Sequence, residues 1–504
     1  MKLVNIFILL FIIPFTIAAQ EITYSEYNNE DNRDINFEII GKLNDSYIIY
    51  KNIRWKHMLA IYDTDMKFKK NIRLKFVPDK TFNIDFIPYP GFFYVIYQYQ
   101  KNNIIYCKAV KLDTEGKKIT EPVIIDTTRI NIFSDNKIYN TIYSQNKQRI
   151  MIYKMPIRNQ KITIATKLFD ADLNLLDSTR HVMEYDNKIH VYTDLNIDND
   201  GNLVYAMETK GNLRTNIASI DIICQRPGEK DFKTISYDMK DIYFDESSIK
   251  IDNNKKRYIL NALFFTGQTG NIKGLFSTII DAVKMDTIKS ALNIFPDSVR
   301  VKVNADEKYK AAFDNFFIRQ AIIKKDGGFI LTTEDFTSQT RSNPYNSWNR
   351  SNYLYNPFYN STDEFLMANP AYGYYRPSSS FNNYVDIRYY YDNILIMSID
   401  SDLNIEWNTI IPKSQSDDEN DNFLSFSTMN VGAEIHFLYN EGIRKQIITN
   451  QSILPNGELK RYPTLKSREA GYEFMPRLAK QVAPREIIIP CVYRSNIAFA
   501  KVIF

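Results

Sequence analysis

One short signature recurs about every 55 residues along this chain and constrains its fold more than any other feature. An apolar run ends in an acidic or proline-containing turn, and a second strand-like run follows. The copies are Ala60–Asp65, Val110–Gly116, Lys167–Asp172, Ile222–Gly228, Ile279–Asp281, Ser398–Asp402 and Ile453–Gly457. Asp, Asn, Pro and Gly form turns for separate reasons: Asx side chains bond their own backbone, Pro pre-sets φ, and Gly accepts positive φ. A period of this size is what four-stranded propeller blades give, since such blades run to about 50 residues. In the second unit, Phe92–Tyr99 reads as a strand, Lys101–Asn103 as a turn, and Ile104–Leu112 and Lys117–Ile125 as two further strands. β-branched and aromatic residues dominate these runs, as a pleated, half-buried surface requires.

The last unit contains the strand-like runs Ile487–Tyr493 and Ile497–Phe504 with no outer strand after them. The segment Glu21–Tyr27 is expected to supply that strand and close the ring, because an open ring leaves long unpaired edges. The expectation is an all-β propeller of about eight four-stranded blades, with seven blades as the alternative. A β-sandwich array with coincidental spacing is the competing architecture.

Residues 1–19 read as a signal peptide, with Lys2 before the apolar stretch Leu3–Phe15 and Ile17-Ala18-Ala19 as a cleavage site. No Cys lies near that site, which argues against a lipoprotein anchor, and no later stretch is long and apolar enough to span a membrane. Residues 20–504 are then expected to form a single propeller domain. The formal net charge of +4 carries no strong basic block, which argues against a nucleic-acid partner. Cys107, Cys224 and Cys491 each sit in an apolar run, so buried thiols are expected, with one bridge left open. The acidic run Ser416–Asp421 reads as a solvated loop, with a cation site as the lesser possibility.

Two segments depart from the repeat. Asn304 and Glu307 resemble a capping box, and Tyr309, Ala312, Phe313 and Phe316 follow at helical spacing, which predicts a short helix over about 304–316. The segment from about 337 to 390 mixes aromatics with Asn, Ser, Pro and Arg. Loops of this length are usually functional or disordered, and this composition is that of adaptable binding surfaces. The candidate binding residues are Trp348, Arg350, Tyr353, Tyr355, Tyr359, Tyr372, Tyr374, Tyr375 and Arg376.

No catalytic residue, metal ligand or cofactor site emerges. His57, His181, His190 and His436 fall in different units without ligand spacing. A nucleophile elbow, a phosphate loop and a zinc-protease helix motif are absent. Asn196–Asn202 resembles a calcium loop, but Met207 stands where a bidentate Glu is needed, so a polar hairpin is the preferred reading. Ser398–Trp407 only approaches a sialidase-type Asp box. The pair Glu334-Asp335, at the mouth of the long insertion, reads as a loop edge.

The segments Tyr389–Ile396, Trp407, Ile410–Gln415 and Met475–Gln481 resemble uncharacterised secreted or envelope proteins of the Bacteroidota with propeller-like repeats, mostly over the last third of the chain. That resemblance implies no activity and no residue role. Many exported proteins of that phylum end in a sorting domain, whereas here strand-like runs continue to Phe504, which implies retention in the periplasm or at the outer membrane, with an extracellular location as the alternative. The expected function is a non-enzymatic scaffold that binds an envelope protein, and the alternative is a carbohydrate-binding or glycosidase-like propeller.

Overall fold

The computed structural model describes residues 21–26, 35–130, 138–186, 188–211, 216–267, 271–299, 315–340, 374–375, 387–418, 421–442, 444–466 and 471–504. The signal-peptide segment and most of the helix predicted over about 304–316 lie outside them. At the end of that predicted helix, Phe316 instead opens a strand, Phe316–Ile323, where it pairs with Asp335 in the ladder.

The described chain is an all-β propeller built of antiparallel meanders. Seven hydrogen-bonded sheets are present, and the eight-stranded one consists of two meanders joined at a single pair, Ile217↔Phe244. This makes eight four-stranded units among the described residues, numbered here in chain order. Unit 1 is Ile35–Leu43, Ser46–Ile53, Lys56–Tyr62 and Phe68–Arg73. Unit 2 is Thr81–Tyr89, Phe92–Lys101, Ile104–Asp113 and Val123–Arg129. Unit 3 runs from Tyr139 to Glu184, unit 4 from His190 to Asp238, unit 5 from Ile242 to Ile294, unit 6 from Phe316 to Asp417 and unit 7 from Phe426 to Lys466. In unit 8 the inner strand is split into Tyr472–Phe474 and Lys480–Ala483 by a 3-10 turn at Pro476–Leu478, and Glu486–Tyr493 and Asn496–Ile503 follow.

The outer strand of unit 8 is Glu21–Tyr24, paired antiparallel with Asn496–Ile503 from Glu21↔Ile503 to Tyr24↔Ala500. The expected closure by the N-terminal segment is therefore present. Each seam between consecutive units holds its own apolar cluster. The one between units 8 and 1 joins Phe37, Tyr47 and Met66 to Met475, Ile488 and Phe499. Strand side chains alternate between two faces, so one strand serves two seams: Cys224 packs toward unit 5 and Ile223 toward unit 3. The three cysteines are free and buried in three different seams, which rules out a bridge between any two of them.

The recurring signature is the turn between the third and fourth strands of a unit. At Asp63 the backbone closes through Met66 N to Asp63 O (3.1 Å) and Asp63 N to Lys67 O (3.0 Å). The Asp63 carboxylate accepts the N–H groups of Asp65 and Lys67 at 2.9 and 2.8 Å. Asp113, Asp170 and Asp400 repeat this geometry. The fourth turn residue is left-handed, with φ of 59° at Met66, 75° at Gly116, 63° at Leu173 and 68° at Leu403. A non-glycine residue there costs about 1–2 kcal/mol. Complete burial of Met66 and Leu403 in the seam with the preceding unit returns about 1.5–3 kcal/mol, so burial wins. At Gly457 (φ 84°) a Cβ would lie 2.6 Å from Trp407 Cδ2, so glycine is required.

The outer strand of unit 2 begins at Val123 rather than at Lys117: after a lone bridge, Leu112↔Lys118, residues 119–122 lie outside the ladder.

Candidate functional site

In a meander the turns alternate between two ends. The signature turns occupy one end, and the long insertion leaves from the other, between the second and third strands of unit 6. Those strands, Phe329–Thr340 and Ile387–Ile399, run well into the segment expected to be a loop, and Thr337–Thr340 pair with Tyr390–Ile387. The insertion proper therefore spans residues 341–386. Within it, Tyr374-Tyr375 pairs with Phe37 and Glu38 on the inner edge of the first strand of unit 1. The insertion thus returns to the axial side of a different unit. Of the candidate binding residues, Tyr374 and Tyr375 are placed by their backbone, and Trp348, Arg350, Tyr353, Tyr355, Tyr359, Tyr372 and Arg376 lie outside the described residues.

Beneath the root of this insertion lies a buried ionic network that local sequence does not reveal. Glu334 is a strand residue with no exposed surface rather than a loop edge, because Phe317 and Ile394 flank it in the ladder. Lys413 Nζ lies 2.7 Å from its Oε1, and Arg319 Nε lies 3.3 Å from its Oε2. Ser425 Oγ donates to Oε2 at 2.7 Å. Arg319 occupies a bulge in the inner strand of unit 6, which turns its guanidinium toward Ser425 Oγ at 3.0 Å and over the rings of Phe317 and Phe426.

The network continues into units 7 and 8. Tyr391 OH donates to Asp421 Oδ2 at 3.0 Å, and Arg477, on the 3-10 turn of unit 8, pairs with the same carboxylate. Lys413 Nζ also donates to the Tyr391 carbonyl at 3.0 Å and to Gln415 Oε1 at 3.1 Å, and Gln415 Nε2 reaches the Asn440 carbonyl at 2.7 Å. Phe317, Phe336, Tyr391 and Leu424 form a small apolar cluster beside these charges.

Burial sets the electrostatics. It lowers the pKa of Lys413, and the nearby Glu334 carboxylate opposes that shift. Burial, aided by the neighbouring Arg319, also lowers that of Arg477. Burial raises Asp421 to about 6 against the Tyr391 hydrogen bond. Such groups persist only when paired, because an isolated buried charge costs several kcal/mol. The run Ser416–Asp421 is accordingly more than a solvated loop. Gln415–Asp417 forms a short strand, Asp417 pairs with Lys445 at 2.7 Å, and Asp421 belongs to the network.

Among the described residues no group of three or more His, Cys, Asp or Glu side chains is arranged to hold a metal ion. Asn196–Asn202 forms a hairpin, in which Asp198 accepts from the N–H groups of Asp200 and Asn202. Two of the histidines are buried structural residues: His57 meets Tyr50 OH at 2.6 Å, and His436 meets Asn450 at 3.0 Å. Burial lowers the pKa of both. A surface aromatic outside the candidate set stands at the insertion end: Trp55, at the second-to-third turn of unit 1, is 60% exposed.

No protein-family model and no curated protein matches this chain. Among solved structures it is similar to a prolyl endopeptidase (TM-score 0.42, 8% identity, 92% of this chain and 55% of that one). It is also similar to the β-propeller domain of the trilobed protease from Pyrococcus furiosus (0.34, 10%, 87% and 97%) and to a polysaccharide lyase (0.37, 9%, 83% and 89%). The chain spans about half the length of the prolyl endopeptidase structures it matches. These likenesses carry no residue role, and the propeller assignment stands on the chain's own strand pairing and seams.

Proposed function

We propose that this chain is an eight-bladed, non-enzymatic scaffold of a bacterial cell envelope, which binds another protein through the end of the ring bearing residues 341–386. One observation carries the reading: the insertion is rooted in a lengthened strand pair standing on a buried ionic network that ties units 6, 7 and 8 together. A contact surface gains from a rigid base, because ordering a loop on binding costs affinity. The network's carboxylates and cations are spent on one another, which suits bracing better than proton transfer to a substrate. The envelope location rests on the signal-peptide reading and on the resemblance to exported Bacteroidota proteins.

The test is affinity capture from native envelopes with the mature protein and with a variant in which a short turn replaces residues 341–386. A protein retained only by the intact form is then purified and titrated against both. Direct binding that needs the insertion supports the scaffold. Equal binding by both forms moves the contact elsewhere, and absence of binding by either removes the reading.

A further inference from the structure

The turn between the second and third strands of unit 1 is a two-residue hairpin, Arg54-Trp55, and both residues are left-handed, with φ of 48° and 69°. That region favours glycine, and a bulky side chain there is a rare outlier. At the signature turns, burial of Met66 and Leu403 offsets such strain. Trp55 has no such offset, because it is 60% exposed. An indole held in water on a strained turn points to a contact with something outside the chain.

The surroundings of Trp55 give the chemistry of that contact. The hairpin is tied to the chain that links units 1 and 2: Leu74 N donates to the His57 carbonyl at 2.9 Å, and His57 Nε2 lies 3.1 Å from the Pro78 carbonyl. Leu74 and Val77 are buried in the seam between the two units. Tyr97 OH donates to the Phe76 carbonyl at 3.2 Å, which ties the same link to the strand of unit 2 that ends at Lys101. Lys56, Lys75, Lys80 and Lys101 are exposed on these elements and have no ion pair among the described residues. The carboxylate of the link, Asp79, is taken by Arg73 at 3.5 Å. At the opposite end of the same two units, the signature turns carry Asp63, Asp65, Asp113 and Glu115. Units 1 and 2 are thus polarised, with unpaired ammonium groups around an exposed indole at the insertion end. Turn tips and a surface link present these groups outward, as an extended anionic surface requires. Indoles favour the headgroup level of a bilayer, where apolar ring and N–H are both accommodated, and lysines at that level are drawn to anionic lipids.

We propose that this arc of units 1 and 2 docks the ring on an anionic phospholipid bilayer, with the Trp55 indole seated among the headgroups and the lysines facing lipid phosphates. The inference does not rest on the scaffold reading. It adds an orientation to the ring, whose insertion end then faces the membrane.

The experiment is titration of the mature protein with vesicles of phosphatidylcholine alone, with vesicles of phosphatidylcholine mixed with phosphatidylglycerol, and with polyglutamate. The expected result is binding to the mixed vesicles alone, weakening as salt rises, with a blue shift of tryptophan emission. Glycine accepts the φ of residue 55, so Trp55→Gly is expected to melt no lower than wild type, to bind about threefold more weakly and to lose the shift. Lys75→Glu/Lys80→Glu reverses two exposed charges, and it is expected to melt like wild type and to bind at least about tenfold more weakly. The variant in which a short turn replaces residues 341–386 is expected to bind vesicles unchanged, which separates this contact from the scaffold surface. The proposal is overturned by failure to bind the mixed vesicles, by equal binding of the neutral ones, or by undiminished binding in either substituted variant. Loss of binding in the shortened variant assigns the contact to the insertion and also overturns it. Equal affinity for polyglutamate does the same by assigning the arc to an acidic protein.

Discussion

Lys42 and Glu486 are 444 residues apart along the chain and 2.9 Å apart in space. Tyr47 OH donates to the same carboxylate at 2.8 Å, and burial, reinforced by that carboxylate, raises the phenol's pKa. These contacts sit at the seam between the last unit and the first. Phe37 meets Phe499 edge-on there, with ring centroids 5.1 Å apart. The buried Lys51 ammonium donates to Tyr62 OH at 2.9 Å and lies over the Phe499 ring. The closing seam is built like the others around an apolar cluster, with a few hydrogen-bonded polar groups beside it.

Removing residues 21–26 strips unit 8 of its outer strand and of the bond from Ser25 N to Phe499 O. At about 1 kcal/mol per hydrogen bond plus partial burial of Ile22 and Tyr24, the expected loss is about 3–5 kcal/mol. Urea unfolding measures it, and an unchanged midpoint would show that the strand is ornamental.

Glu334→Met leaves Arg319 and Lys413 buried against a shared apolar surface without their carboxylate, and the expected cost is about 3–5 kcal/mol. Adding Lys413→Met removes one stranded cation and is expected to recover part of that loss. The double variant's unfolding midpoint lying below the single variant's contradicts the pairing.

Gly457→Val places a branched side chain at φ 84° and against the Trp407 ring. Strain and overpacking together predict a loss of about 2–4 kcal/mol. Trp407 fluorescence is expected to shift as well, because the indole N–H bond to the Pro455 carbonyl, 3.0 Å, depends on that turn.

Burial raises Asp194 from its usual 3.8 to about 7, opposed by a bond from Ile249 N at 2.7 Å. The folded chain therefore holds this proton more tightly than the unfolded chain does. Its contribution to stability is complete below about pH 4 and is lost as pH rises to about 7. Asp194→Asn lacks that slope, so wild type should lose stability relative to the variant across this window and run parallel above it. Urea midpoints at several pH values test this, and a constant difference would refute the assignment.

Much of the architecture was legible because it rests on local chemistry. Asp63, Asp113, Asp170 and Asp400 bond their own turns, so a single copy carries the whole signal. The missing strand of unit 8 showed itself as an incomplete unit, and Glu21–Tyr24 as an unassigned strand-like run. Glu334 was not legible, since its meaning depends on Arg319, Lys413 and Ser425, which come from different strands and loops. Nothing in the neighbourhood of Arg477 announces a partner in Asp421, 56 residues earlier. The start of the outer strand of unit 2 was missed because residues 117–122 have strand-like composition but leave the ladder.

The pairing of residues 21–24 with residues 500–503 also has a temporal side. Synthesis delivers this strand first, and it has no partner until nearly the whole chain is present. Closing a loop of that length costs about 5–6 kcal/mol of chain entropy. The seven earlier units can assemble from neighbours as they appear, whereas the final sheet must wait. Ring closure is then expected to be a late step of folding, and until it happens the edge of Asn496–Ile503 stays open to a strand from another molecule.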